Sequence, residues 1–265
     1  MLFCDVATAD VVIRQPHLAL RRYVDRYVGY RLEGYPSGVH RGLPSRFLTF
    51  IVRLDEPSAV VAGLRTSAAL LPHDGRHHGI AIELTVRGAR ALFATPSGAL
   101  TASVADLAEL LGRKARALPE QLAGSASWEH RFVILDQVLL SSLDPGREPA
   151  PEVVHGWDVL TTSRDGPSIE SLATTVGWSR RHFTEMFGRE VGLPPRQLLR
   201  VIRFERSCRL VRSTPPAAMT EVAVSAGYFD HAHMLHEWHA LAGCRPDQWL
   251  AEELLSVQAE ASAAP

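Results

Sequence analysis

The sequence predicts an α+β protein. A mainly-β N-terminal domain leads through a helical connector to an all-α C-terminal domain in which one unit is written twice. Three observations carry this. Short apolar runs rich in β-branched residues, separated by turn signals, fill the first hundred residues. Helical spacing replaces them from about residue 101. A long register of matching residues then runs between Ser168 and Leu250.

The β part is read from Phe47–Val52, Ala59–Leu64 and Gly79–Val86, three runs bounded by Asp55-Glu56-Pro57, Pro36-Ser37-Gly38, Gly42-Leu43-Pro44 and Pro72-His73-Asp74-Gly75. The stretch Leu18–Tyr30 fits either an amphipathic helix or an aromatic strand, and periodicity alone leaves both open. His73, His77 and His78 precede the Gly79 strand. Three converging ligands are the least a metal site needs, and no regular spacing fixes these three, so an exposed polar loop is the expectation.

In the connector, Ser103 is placed to cap a helix over Val104–Leu111, which Gly112 stops. A second short helix starts near Pro119 and ends by Gly124. Ser127 caps a third, Trp128–Leu143, whose Phe132, Leu135, Val138 and Leu139 recur at spacings of three and four. That face either packs on the β domain, or serves a dimer or a relay between the domains. Asp144-Pro145-Gly146-Arg147-Glu148-Pro149-Ala150-Pro151 holds three prolines and a glycine and reads as a linker. The expected division is therefore 1–100, a mainly-β sensor domain; 101–143, the connector; 144–151, the linker; 152–252, the helical domain; and 253–265, a flexible tail.

Within the helical domain the first copy is Leu172-Ala173-Thr174-Thr175-Val176-Gly177-Trp178, then Ser179 opening a helix to Phe187, then Gly192-Leu193-Pro194-Pro195. The second is Val222-Ala223-Val224-Ser225-Ala226-Gly227-Tyr228, then Asp230 opening a helix to Trp238, then Gly243-Cys244-Arg245-Pro246. Ala173 matches Ala223 and Gly177 matches Gly227. After the inserted Phe229, Ser179 matches Asp230, Phe183 Met234, Phe187 Trp238 and Gly192 Gly243. Each copy reads as a short helix, a glycine turn and a capped second helix: a helix-turn-helix. A long helix from Pro195 to about Val211 joins them as a bar.

The charge of the whole chain is −1, which averages over its domains. Its distribution says more. Arg180, Arg181, Arg189, Arg196, Arg200, Arg203, Arg206, Arg209 and Arg212 face only Glu185, Glu190 and Glu205 in the same stretch, a basic surface of the kind that meets phosphates. A recognition helix offers its N-terminal, outward residues to base edges, which points to Arg180, Arg181 and Thr184.

With these residues in view, Ser168–Leu250 resembles the C-terminal DNA-binding domain of the AraC/XylS family of bacterial transcription regulators. The carriers are Leu172-Ala173…Gly177-Trp178-Ser179-Arg180-Arg181-His182-Phe183…Phe187, Arg203-Phe204-Glu205-Arg206-Ser207 and Ala226-Gly227-Tyr228-Phe229-Asp230-His231-Ala232-His233-Met234. The resemblance implies seven helices, two recognition helices and an N-terminal ligand-binding or dimerisation domain, with which a cupin-like arrangement of the β part is compatible. It places DNA contacts at Arg181, Thr184 and Glu185, with Ser179 and Arg180 beside them, and at His231, Ala232, His233 and His236. Glu185 and His236 depart from the residues usual there, and Trp238 stands where phenylalanine is common in the core. The second unit also has a weaker helix start, after Thr214-Pro215-Pro216, so the first head is expected to bind more strongly.

The partners implied are double-stranded DNA, a small-molecule effector, RNA polymerase if the protein is an activator, and a second copy of the chain if it is a homodimer. No cofactor and no metal are expected. His236 and His239 share a helical face, yet no third ligand accompanies them. The alternatives are an N-terminal domain that only dimerises or binds protein, and a metal-dependent small-molecule enzyme domain. No nucleophile-elbow or phosphate-loop pattern supports catalysis, so the chain is expected not to be an enzyme. Cys4, Cys208 and Cys244 are odd in number, Met1–Asp10 lacks a basic leader, and no apolar run reaches bilayer length. A cytoplasmic protein without a membrane partner is the expectation.

Overall fold

The structure, a computed structural model, describes residues 8–34, 37–101, 104–163, 167–213 and 218–253. Strands β1 (Thr8–Arg14), β2 (Val24–Glu33), β4 (Leu48–Arg53), β5 (Ser58–Ala62), β7 (His77–Leu84) and β8 (Val104–Asp106) form one antiparallel sheet in the order β1-β2-β7-β4-β5-β8. A separate ribbon pairs β3 (Gly38–Gly42) with β6 (Ala69–His73). Alternation explains the sheet's inner face: Leu48, Phe50 and Val52 of β4 lie directly opposite Leu84, Ile82 and Ile80 of β7, and all six are buried. The open question over Leu18–Tyr30 resolves into a 3-10 turn at Leu18–Leu20 followed by β2.

Helices α1 (Val86–Phe93) and α5 (Trp128–Ser142) cover that inner face. Tyr27, which pairs with Ile82, stacks on Phe132 with ring centroids 5.7 Å apart, and its hydroxyl donates to buried Asp136 at 2.8 Å. The apolar face of α5 is thus spent on packing against the β domain. Helix α1 lies inside the region read as β, because Gly88 disguises it; glycine weakens a helix interior. Here it is required, since a Cβ at that position would come within 2.3 Å of the Tyr23 carbonyl oxygen.

The connector departs from expectation at its start. Val104–Asp106 adds an edge strand to β5, and α2 (Leu107–Leu111) begins only after it, capped by Asp106, which accepts from the Ala108 amide at 2.8 Å. The expected cap, Ser103, lies outside the described residues. After α3 (Arg113–Arg116), α4 (Leu118–Ala123) and α5 follow as read, with Ser127 accepting from the His130 amide at 3.2 Å. The proline-rich segment is bonded down. The Asp144 amide donates to the Ala91 carbonyl at 2.9 Å, and Glu148 accepts from Arg22 at 2.8 Å and from the Tyr23 hydroxyl at 2.9 Å.

Seven helices follow among the described residues: α6 (Pro151–Thr162), α7 (Ile169–Thr175), α8 (Arg180–Val191), α9 (Pro195–Ser213), α10 (Met219–Ala226), α11 (His231–Ala242) and α12 (Pro246–Glu253). The Thr214-Pro215-Pro216 segment and residues 254–265 of the expected tail lie outside the described residues. One apolar core runs from Leu20 through the β domain into α7 and α8, ending at Ile202 of α9, and a second is built around Phe204, Trp238 and Trp249. Helix α9 belongs to both. None of the described helices is long and apolar enough to cross a membrane.

Candidate nucleic-acid interface

The two copies are built by the same hydrogen bonds. In the first, Gly177 takes φ 76°, its amide donates to the Thr174 carbonyl at 3.0 Å, and the Trp178 amide donates to Ala173 at 2.9 Å. In the second, Gly227 takes φ 95°, its amide donates to Val224 at 3.0 Å, and the Tyr228 amide donates to Ala223 at 2.9 Å. A side chain at either glycine would be strained in the left-handed region, which is why the turn repeats the residue.

Ser179 caps α8 by accepting from the His182 amide at 3.2 Å, and Asp230 caps α11 by accepting from the His233 amide at 2.7 Å. Behind each cap the helix buries one stripe: Phe183 and Phe187 in α8, Met234 and Trp238 in α11, all inaccessible. The first turn of the second unit lacks such a cap, because Ala218 offers no side-chain bond to α10.

What remains outward differs between the heads. On α8, Arg180, Arg181 and Glu185 are exposed, and Thr184 is half-buried. The Arg181 Nε donates to Glu185 Oε1 at 2.9 Å one turn on, so the glutamate orients an arginine rather than standing alone against phosphate. The Thr184 hydroxyl donates to the Arg180 carbonyl at 2.8 Å. A hollow between the heads of α8 and α9 is lined by Ile169, Arg180, Thr184, Pro194, Pro195 and Arg196.

On α11, Ala232 and His236 are exposed and His231 is half-buried. His233 is engaged in the turn: its Nδ1 accepts from the Phe229 amide at 3.3 Å, and its ring meets Tyr228 edge-on at 5.4 Å. An imidazole whose Nδ1 accepts presents Nε2–H, so this histidine is held as a donor.

The basic surface read from sequence is partly consumed inside the fold. Arg200 of α9 makes a bidentate bond to Glu237 of α11, at 2.9 Å and 3.0 Å. Burial alone would raise the Glu237 carboxyl, but the Arg200 guanidinium outweighs it and holds the group below its ordinary value. Arg203 reaches the Gly227 carbonyl at 3.5 Å and covers the Tyr228 ring at 5.3 Å. These arginines fasten the second unit to the bar; Arg180, Arg181 and Arg196 remain turned to solvent.

Sequence reasoning missed how Trp238 is accommodated. Its indole N–H, buried in the second core, donates to the Ser207 hydroxyl of α9 at 2.9 Å. The signal was present in the serine that ends Arg203-Phe204-Glu205-Arg206-Ser207, but nothing in the spacing pairs it with a tryptophan 31 residues on. Also missed were the contacts by which the β domain touches both heads. Arg90 of α1 pairs with Glu190 at the end of α8, a carboxylate 3% exposed. The Thr101 hydroxyl donates to the Gly192 carbonyl at 3.2 Å. Arg41 of β3 donates to the Ala242 carbonyl, the last residue of α11, at 2.7 Å and to Glu252 at 2.8 Å.

The exposed loop expected at His73, His77 and His78 is instead the end of β6 and the start of β7, and all three are half-buried. The rings cluster, His73 and His77 at 4.8 Å and His40 and His77 at 6.2 Å. Burial, then His77 and His73, push His40 down to about 4. Among the described residues no group of three histidine, cysteine or acidic side chains is spaced to hold a metal ion, at this cluster or at His236 and His239.

Two helix-turn-helix units, each with a buried stripe behind a capped second helix and joined by one rigid bar, define a double helix-turn-helix DNA-binding domain. Residues 172–252 match a family model described as a helix-turn-helix domain. Among solved structures, the C-terminal domain of AraT, a response regulator from Geobacillus stearothermophilus, is 24% identical over 39% of this chain and 87% of its own, with a TM-score of 0.35. An AraC-type transcriptional regulator from Chromobacterium violaceum is 17% identical over 38% and 91%, with a TM-score of 0.34. ToxT from Vibrio cholerae is 10% identical over 92% of this chain and 98% of its own, with a TM-score of 0.44. No curated protein matches the chain.

Proposed function

We propose that this protein regulates transcription by reading two adjacent major-groove segments with α8 and α11, under the control of its N-terminal domain. The observation that carries the reading is the outward N-terminal face of each second helix, left free by a buried stripe that repeats between the copies. Helix α9, at 19 residues, spans roughly 28 Å. Successive major-groove faces on one side of a duplex lie about 34 Å apart, a separation that such a bar suits. Ser179, Arg180, Arg181, Thr184 and Glu185 are the contacts of the first head, and His231, Ala232, His233 and His236 those of the second.

The division of labour goes with it: 1–100 senses, 101–143 connects, 144–151 joins, and 152–252 reads DNA. Control by a small molecule is supported by the bonds from Arg90 and Arg41 to the ends of α8 and α11, since anything that shifts the β domain moves both heads. A thermal-shift screen against metabolite pools separates this from a domain that only dimerises: a saturable rise in melting temperature supports an effector.

The reading is tested by base selection. Arg181→Ala relaxes preference at one or two positions of the first half-site, at about 1–3 kcal/mol of lost discrimination. Arg196→Ala weakens binding evenly across sequences and lowers the salt dependence by about one ion. Unaltered selection and salt dependence in both variants would overturn the placement of these surfaces.

A further inference from the structure

Between its glycine turn and its helix cap the second unit is one residue longer than the first, and the added residue is Phe229. In the first copy Trp178 is followed at once by its cap, Ser179; in the second, Phe229 stands between Tyr228 and the cap, Asp230. Tyr228 is buried, as the turn requires, while Phe229 is 88% exposed. Its backbone is not loose. The residue before it is bonded to Ala223, its own amide is taken by His233, and the residue after it accepts from the amide of that same histidine. A phenyl ring is thereby carried, on a fixed turn, at the leading end of the second recognition helix.

A phenyl ring can neither give nor take an ordinary hydrogen bond. Among base edges in the major groove the apolar feature is the 5-methyl group of thymine. Ala232, exposed and three residues further on, has the same chemistry. The first head instead offers the Arg181–Glu185 pair, which suits hydrogen-bonding edges.

We propose that Phe229 is a specificity-determining residue that packs on thymine methyl groups at the leading edge of the second half-site, with Ala232 beside it. The proposal rests on the DNA-binding reading above and adds to it the base that the second head selects. It also gives the insertion a purpose that the shared scaffold does not need.

The test uses the full chain and duplexes enriched from a random pool by the unaltered protein. Thymines are replaced by deoxyuridine, one half-site at a time, and affinity is followed by fluorescence anisotropy. Loss of the methyl groups in the second half-site should weaken binding about fourfold for each methyl contacted. Phe229→Ala should lose a similar factor on the thymine duplex and cease to distinguish thymine from uracil there. Phe229→Leu should keep most of the distinction, and the melting temperature of both variants should match the parent, as an exposed ring predicts. Indifference of the parent to uracil, or an undiminished preference in Phe229→Ala, overturns the proposal while leaving DNA binding intact. Loss of transcription in vitro with DNA affinity unchanged would assign the ring to a protein partner and overturn it equally. Failure to enrich any sequence would instead overturn the DNA-binding reading, and the proposal with it.

Discussion

Ser207 shows how one small side chain sets the terms for a large one. Trp238 fills the second core, yet its indole carries a donor that a phenylalanine would not, and a buried donor without a partner costs about 1–3 kcal/mol. Ser207 supplies the acceptor from α9, and its own hydroxyl donates to the Phe204 carbonyl at 2.7 Å. Ser207→Ala should therefore lower stability in urea by about 1–3 kcal/mol. In the Ser207→Ala background, Trp238→Phe should cost less than it does in the parent, because the stranded donor has gone. Strict additivity of the two changes would contradict the account. This residue-scale logic was only half legible beforehand: tryptophan in a phenylalanine position could be read from sequence, whereas the serine's role needed the contact.

At the scale of elements, α9 is a fastening as well as a spacer. Its arginines read in sequence as a phosphate-facing stripe, and helical spacing could not tell which of them turn toward α11. Arg200 does so, because the carboxylate of Glu237 lies within reach, while Arg203 turns to the carbonyl of Gly227 in the turn before α11. The caps and turns were legible, since Ser168, Ser179, Asp230, Gly177 and Gly227 act through bonds a few residues away. The bridges were not, since they join residues far apart in sequence. The lowered Glu237 carboxyl carries a pH dependence with a definite sign. Its bridge contributes fully above the ordinary glutamate value of 4.5 and fades as pH falls below it, through the lower folded-state value. Glu237→Gln should cost about 1–2 kcal/mol at neutral pH, with Arg200 partly exposed to solvent, and should flatten the loss of stability as pH falls below the ordinary glutamate value of 4.5. Equal acid sensitivity in parent and variant, followed by urea unfolding across that range, would place the dependence elsewhere.

At the scale of the molecule, the two heads share a scaffold and diverge in what they show. Matched turns, caps and core stripes make the copies superimposable in logic, while the outward residues are arginines and a glutamate in one and histidines, an alanine and a phenylalanine in the other. The β domain holds both heads, through Arg90 and Thr101 at the first and Arg41 at the second. Sequence periodicity foretold the β-then-helical order and the doubled unit. It could not foretell this clasp, because arginines in a strand and a short helix carry no mark of the partner they will meet. A symmetric reader would repeat its outward residues as faithfully as its glycines. The account therefore turns on the binding site itself. Selection from a random duplex pool by the full chain, followed by footprinting, should yield two unlike half-sites centred about 10 base pairs apart on one face of the helix. Two identical half-sites, or a single half-site protected by one head alone, would contradict it.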